Sequence, residues 1–81
     1  MVQVGDEGRL YWRSRRGLLE LEFMLVPFFR EHYPRLSPEL KRAYAELLDC
    51  DDWLIFDWLQ GRSEPERHRM QQLVERIVGS V

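Results

Sequence analysis

Two cations, a glycine and an acid stand within six residues at Arg15-Arg16-Gly17-Leu18-Leu19-Glu20. Glycine tolerates a sharp reversal or the close approach of another backbone, so a bend at Gly17 would let Arg15, Arg16 and Glu20 project together as donors and an acceptor for a partner. Spacing alone leaves a second account open. Arg16 and Glu20 lie four apart and can form a local ion pair at an ordinary helix junction, contributing about 0.3–0.5 kcal/mol if exposed. Upstream, Arg9-Leu10-Tyr11-Trp12-Arg13 interleaves cations with aromatic rings, a pattern able to pair phosphates and stack bases. With only four arginines from Arg9 to Arg16 and a net charge of −2 over the whole chain, the nucleic-acid signal is weak.

The remaining inventory is thin for catalysis. His32 and His68 are the only histidines and neither sits in a metal-ligand spacing, while a lone Cys50 rules out a zinc cluster and an internal disulfide. Cys50 stands among Asp49, Asp51 and Asp52, whose negative charge disfavours the thiolate that a nucleophile needs. The glycines form neither a dinucleotide fingerprint nor a phosphate loop, so the chain alone is expected to hold no FAD, ATP or metal. An enzyme in its own right is the least favoured class.

The elements that must position these residues read as helices. With 81 residues, 44% of them hydrophobic and ten aromatic, the chain has room for one core rich in large side chains. Val and Ile are few and Thr is absent, which disfavours a sheet. The spacing predicts an all-α fold, a small five-helix bundle forming a single domain over 1–81. The first helix spans about Gly5 to Arg15. The second, from Leu18 to Tyr33, is apolar almost all round and is read as the buried centre, with Phe23, Met24 and Val26 widening its apolar stripe and Pro27 kinking it or ending its first half. Ser37-Pro38-Glu39 starts a third helix with an N-cap and a first-turn proline. Asp51 or Asp52 caps a fourth, Trp53 to Leu59, closed by Gly61, and a fifth begins near Pro65. Charge is uneven: Arg9, Arg13, Arg15 and Arg16 crowd one end, while Glu46 to Asp57 carries five acids and no base. Met1 to Glu7 lacks a basic start and an apolar run, so no targeting segment is expected. No stretch approaches the ~20 apolar residues of a membrane span.

Arg16-Gly17-Leu18-Leu19-Glu20, Pro27-Phe28-Phe29, Leu47-Leu48-Asp49-Cys50-Asp51-Asp52 and Phe56-Asp57-Trp58-Leu59, taken in order, resemble the RGxxE motif and following segments of the SdhE (YgfY) family of bacterial succinate dehydrogenase assembly factors, or flavinators. The resemblance covers roughly residues 9 to 62; beyond it the chain matches only as a terminal helix of the right size. It implies a cytoplasmic, monomeric five-helix protein that binds the flavoprotein subunit of succinate dehydrogenase, and often that of fumarate reductase, and promotes covalent attachment of FAD to a histidine of that subunit. It implies also that the chain is not itself the flavin carrier and acts as an assembly factor or chaperone rather than an enzyme. On this basis the expected partner-binding residues are Arg9, Trp12, Arg15, Arg16, Gly17 and Glu20: Gly17 pressed on the partner, Arg15 and Arg16 on its carboxylates or carbonyls, Glu20 accepting hydrogen bonds near the flavin site, Arg9 and Trp12 extending the face. Glu20 as a general base on the flavin methyl group is the less favoured role. An exposed Trp53 would add a second contact patch. An antitoxin or a helical DNA-binding regulatory module is the alternative function.

Overall fold

A computed structural model describes the backbone of residues 2–80 and the side chains of residues 8–80. Five α-helices follow in order, α1 Val2–Ser14, α2 Leu19–Glu31, α3 Pro38–Leu48, α4 Asp52–Leu59 and α5 His68–Gly79, with a 3₁₀ turn Tyr33–Arg35 after α2 and no strand among the described residues. The expected all-α, five-helix architecture is present. The expectation that Met1 to Glu7, with the charges of Asp6 and Glu7, is no targeting segment falls on side chains outside the described residues.

Local chemistry sets most boundaries. The Ser37 hydroxyl accepts a hydrogen bond from the Leu40 amide at 3.2 Å and Pro38 follows at the first helical position, so α3 starts where the sequence places it. Asp51, not Asp52, caps α4, its carboxylate accepting from the Trp53 amide at 3.0 Å. At the other end Gly61 adopts φ +77°, Arg62 N–H bonds Asp57 C=O at 2.9 Å and Gly61 N–H bonds Trp58 C=O at 3.2 Å, the paired closure that a left-handed residue permits. A side chain at position 61 would strain that backbone.

Three boundaries differ from expectation, the first being the start of α1 at Val2 rather than about Gly5. α2 runs through Pro27, which overturns only the alternative that the proline ends its first half. Pro27 and Phe23, whose carbonyl loses its partner, both lie on the exposed side, where water can satisfy the freed oxygen, while Leu25 and Phe28 hold the turn from the core. α2 ends at Glu31 instead of extending to Tyr33, and a 3₁₀ turn that contains Pro34 follows. α5 begins at His68 rather than near Pro65: Pro65 is buried in the preceding link, its carbonyl accepting from the Gln71 side chain at 2.7 Å.

The core is one cluster in which Leu21, Leu25 and Phe28 of α2 meet Tyr44 and Leu47 of α3, Ile55 of α4, and Leu73 and Ile77 of α5. α2 is central, as its composition predicts, but its buried stripe is narrower than expected. Leu21, Leu25 and Phe28 are inside, whereas Leu19 and Phe23 are exposed, Phe23 at 74%. At 100° per residue Leu19 and Phe23 stand on the side of the helix roughly opposite Leu21 and Leu25.

A polar node lies inside this apolar mass. Ser14 of α1, fully buried, donates to the Leu10 carbonyl at 2.8 Å and lies 2.6 Å from the Tyr44 hydroxyl of α3. With the serine proton committed to Leu10, Tyr44 supplies the proton between the two hydroxyls. Burial pushes the Tyr44 pKa up to about 12. The neutral phenol is favoured in the fold and the phenolate in the unfolded chain, so this contribution is intact below about pH 10 and is lost between about pH 10 and 12, with a slope of at most about 1.4 kcal/mol per pH unit. Denaturant titrations should show that alkaline loss, and Tyr44→Phe should abolish it while lowering neutral-pH stability by only about 0.5–1.5 kcal/mol. Ser14→Ala, which leaves the buried phenol poorly paired, should cost more, about 1–3 kcal/mol.

Candidate functional site

Arg16 organises the corner where α1, α3 and α4 meet. Its guanidinium Nε–H donates to Asp52 Oδ1 at 2.7 Å, Nη1 to the carbonyls of Arg13 at 3.0 Å and Leu48 at 2.9 Å, and Nη2 to the carbonyl of Cys50 at 2.9 Å. Arg13 lies in the last turn of α1, Leu48 ends α3, and Asp52 opens α4. One planar cation thus satisfies carbonyls left orphaned at two helix C-termini, where positive charge is favoured, and ties them to a carboxylate at the positive end of a third helix. Next to it Arg13 pairs with Asp49, the residue capping α3, so two arginines three apart engage two aspartates three apart.

The expected outward projection of Arg16 is therefore corrected. Its side chain is 14% exposed, and four of the five guanidinium N–H groups are spent within the chain. The physical reason is the acceptor supply: a helix end leaves carbonyls without partners, and a residue two positions past α1 is within reach of them. The local Arg16–Glu20 ion pair is absent too; Arg15 approaches Glu22 instead, at 3.9 Å.

The other candidate residues lie outside. Arg9, Trp12, Arg15, Gly17 and Glu20 are all exposed, Trp12 at 65%. Arg15 stands over the Trp12 ring, 5.7 Å from its centroid, which folds the link after α1 back onto that helix's last turn through a cation on an aromatic face. Gly17 has no positive φ, and a Cβ built on it meets nothing within 4 Å. No packing within the fold requires glycine there.

Three further large apolar side chains, Leu19, Phe23 and Trp53, are exposed, of which Leu19 and Phe23 were placed in no site by the sequence reading. Their four-residue spacing on the side away from Leu21 and Leu25 is a signal that a helical-wheel count would have found. Trp53, at 62% exposed, follows directly on Asp52 and so stands beside the Arg16 node. The acidic stretch has a use at each position: Glu46 pairs with Arg67, Asp49 with Arg13, Asp52 with Arg16 and Asp57 with Arg62, while Asp51 caps α4. Cys50, half-buried, has its thiol pushed up by burial and then by the neighbouring Asp49 charge, an unreactive setting as its neighbours predict. No group of three or more metal-ligating side chains occurs among the described residues, and no described helix is long and apolar enough to cross a membrane.

Fold and corner together define a class: small all-α proteins that hold exposed aromatic and ionic groups on an internally braced junction. The particular family follows from comparison with known proteins. The model of the family described as "Flavinator of succinate dehydrogenase" matches residues 8–81, and the chain belongs to that family. The FAD assembly factor SdhE of Pseudomonas aeruginosa is 45% identical over 81 residues, spanning 100% of this chain and 96% of its own. That of Pseudomonas savastanoi pv. phaseolicola is 44% identical with the same coverage. The Vibrio vulnificus SdhE is 36% identical over 78 residues, 96% of this chain and 91% of its own.

Removing the Arg16 fork strands carbonyls at two helix ends and a carboxylate at a third. Arg16→Ala should lower the unfolding free energy by on the order of 3 kcal/mol. Arg16→Lys, which keeps the charge but not the planar fork, should recover less than half of that loss in the same denaturant series.

Proposed function

We propose that the chain acts as an assembly factor that docks its α1–α2 corner on the flavoprotein subunit of succinate dehydrogenase and promotes covalent attachment of FAD to a histidine of that subunit. Family membership supports the role. The observation that carries the docking surface is Gly17: exposed, free of left-handed strain, and with open space where a side chain would stand, it has no reason within the fold to be glycine. Its use lies outside, in letting another backbone approach closely. On either side of it in the chain Trp12 and Leu19 supply exposed apolar area and Arg15 and Glu20 supply charge of both signs, the mixture of aromatic anchors and polar groups that dominates binding energy at protein interfaces; Phe23 and Trp53 are exposed further along the chain.

Arg16 serves this surface from behind as a positioning residue. By fixing the end of α1 against α3 and α4 it sets where Trp12, Arg15 and Trp53 stand before the partner arrives, which reduces the ordering cost of association. Attachment of flavin to a histidine requires proton loss from the flavin methyl group and bond formation at the histidine nitrogen, both within the partner. This chain need supply no bond-making group. It favours the partner conformation in which those atoms are aligned, by binding that conformation more tightly than others. Glu20 then acts as an acceptor that fixes the docked pose rather than as a base. The flavoprotein subunit of fumarate reductase is a second client on this reading, and a single copy of the chain suffices.

Coexpression with the flavoprotein subunit tests the proposal, because covalently held flavin fluoresces in a denaturing gel. Gly17→Leu and Trp12→Ala should each weaken partner binding tenfold or more, about 1.4 kcal/mol, and reduce that fluorescence while leaving the melting temperature within a few degrees. Fluorescence independent of this chain would contradict the role; melting caused by Gly17→Leu would make the glycine structural. Glu20→Gln should reduce binding and flavin attachment together, whereas normal binding with abolished attachment would make Glu20 a base.

A further inference from the structure

We infer that the groove between α1 and α3 is a second docking site, one that takes an extended, carboxylate-bearing polypeptide segment. The groove, about 360 Å³, is walled by Arg9 and Arg13 from α1 and by Lys41 and Arg42 from α3, with Leu10 and Ala45 among its lining residues. No carboxylate among the described residues lines it. Arg13 is neutralised by Asp49, but Arg9, Lys41 and Arg42 form no ion pair among the described residues. Lys41 lies over the Tyr33 ring, 5.3 Å from the centroid, which holds its ammonium at the groove without neutralising it.

This concentration of like charge works against the fold. Arg9 and Arg13 are four apart on one helix, a spacing at which like charges repel, and they face two more cations across the groove. Several acids are already engaged: Glu46, Asp52 and Asp57 in ion pairs with other arginines, Asp49 with Arg13 and Asp51 on a helix cap, while Glu39 on α3 acts on Arg42 through space, which leaves Arg9 and Lys41 as the groove cations least compensated among the described residues. In a chain of net charge −2, an unbalanced positive groove calls for a negative occupant from outside. Geometry favours an extended peptide. Four residues of α-helix rise about 6 Å, and same-side residues of an extended strand repeat at about 7 Å, so alternate carboxylates of a strand match the step from Arg9 to Arg13. Nucleic acid fits less well, since the few groove cations outside ion pairs among the described residues neutralise too few phosphates for appreciable affinity.

The site rests on the docking proposed above only for the identity of the partner, the flavoprotein subunit; it shares Arg9 with the face expected there and adds Lys41 and Arg42. Lys41 and Arg42 belong to α3 and have no part in the Gly17 corner, so the double variant Lys41→Glu/Arg42→Glu separates the two. Its affinity for the purified flavoprotein subunit should fall tenfold or more at about 50 mM salt and come within about twofold of the parent at about 500 mM, where screening suppresses the charge effect. Lys41→Gln/Arg42→Gln should fall between the two, and melting temperatures of all three should agree within a few degrees. Unchanged affinity at low salt, alongside a Trp12→Ala variant that does bind weakly, would overturn the groove and leave the corner intact. A second measurement stands without the client: an end-blocked hexaglutamate peptide should shift the NMR signals of Arg9, Lys41 and Arg42, and hexaglutamine should not. No shift with hexaglutamate, or equal shifts with inorganic phosphate or a short DNA duplex at matched charge, would overturn the assignment.

Discussion

The guanidinium of Arg16 is the constraint on which the arrangement depends. A chain of this size cannot build a deep core at every corner, and the junction of α1, α3 and α4 is a place where helix ends rather than apolar faces converge. Helix ends expose carbonyls, and carbonyls that converge without a cation or water among them repel and stay unsatisfied. Arg16 answers with a rigid fork that reaches the carbonyls of Arg13, Leu48 and Cys50 and the carboxylate of Asp52 at once. A lysine has the charge but not the geometry, and an apolar residue has neither.

From that interaction the division of labour in the RGxxE segment follows. Arg16 faces inward, and the residues on both sides of it face outward: Arg15 stacked over Trp12, Gly17 open to solvent, Glu20 exposed in the first turn of α2. The Ser14–Tyr44 hydroxyl pair does similar work one turn earlier, joining α1 to α3 inside the core. A surface rich in aromatic side chains is costly to leave in water unless its backbone is fixed, since a loose corner would let Trp12 collapse onto the bundle. Internal polar bonds keep it presented.

Much of this was legible in sequence where one local rule decides the outcome. Ser37-Pro38 fixed the start of α3 and Gly61 the end of α4 because capping and left-handed backbone are decided by a few neighbouring atoms. The choice between a helix that runs through Pro27 and one that ends there was not legible, since packing on both sides of the proline decides it, and neither was the late start of α5, which depends on Pro65 being buried. The site was legible as a position and not as a direction. Nothing within Arg16-Gly17-Leu18-Leu19-Glu20 says that the arginine finds three of its four acceptors more than thirty residues away; the hint lay in matching i, i+3 pairs, Arg13 and Arg16 against Asp49 and Asp52. Reading α2 as apolar all round hid Leu19 and Phe23, because hydrophobicity counts a residue as core without asking which side of the helix it is on.

The central claim is that Arg16 acts through the fold and not through the partner. The most direct measurement is NMR observation of the Arg16 guanidinium Nε–H in the free chain and after addition of the flavoprotein subunit. The account predicts a resolved, slowly exchanging signal in the free chain that keeps its chemical shift and exchange rate in the complex. Rapid exchange in the free chain, with protection only once the partner is bound, would contradict it.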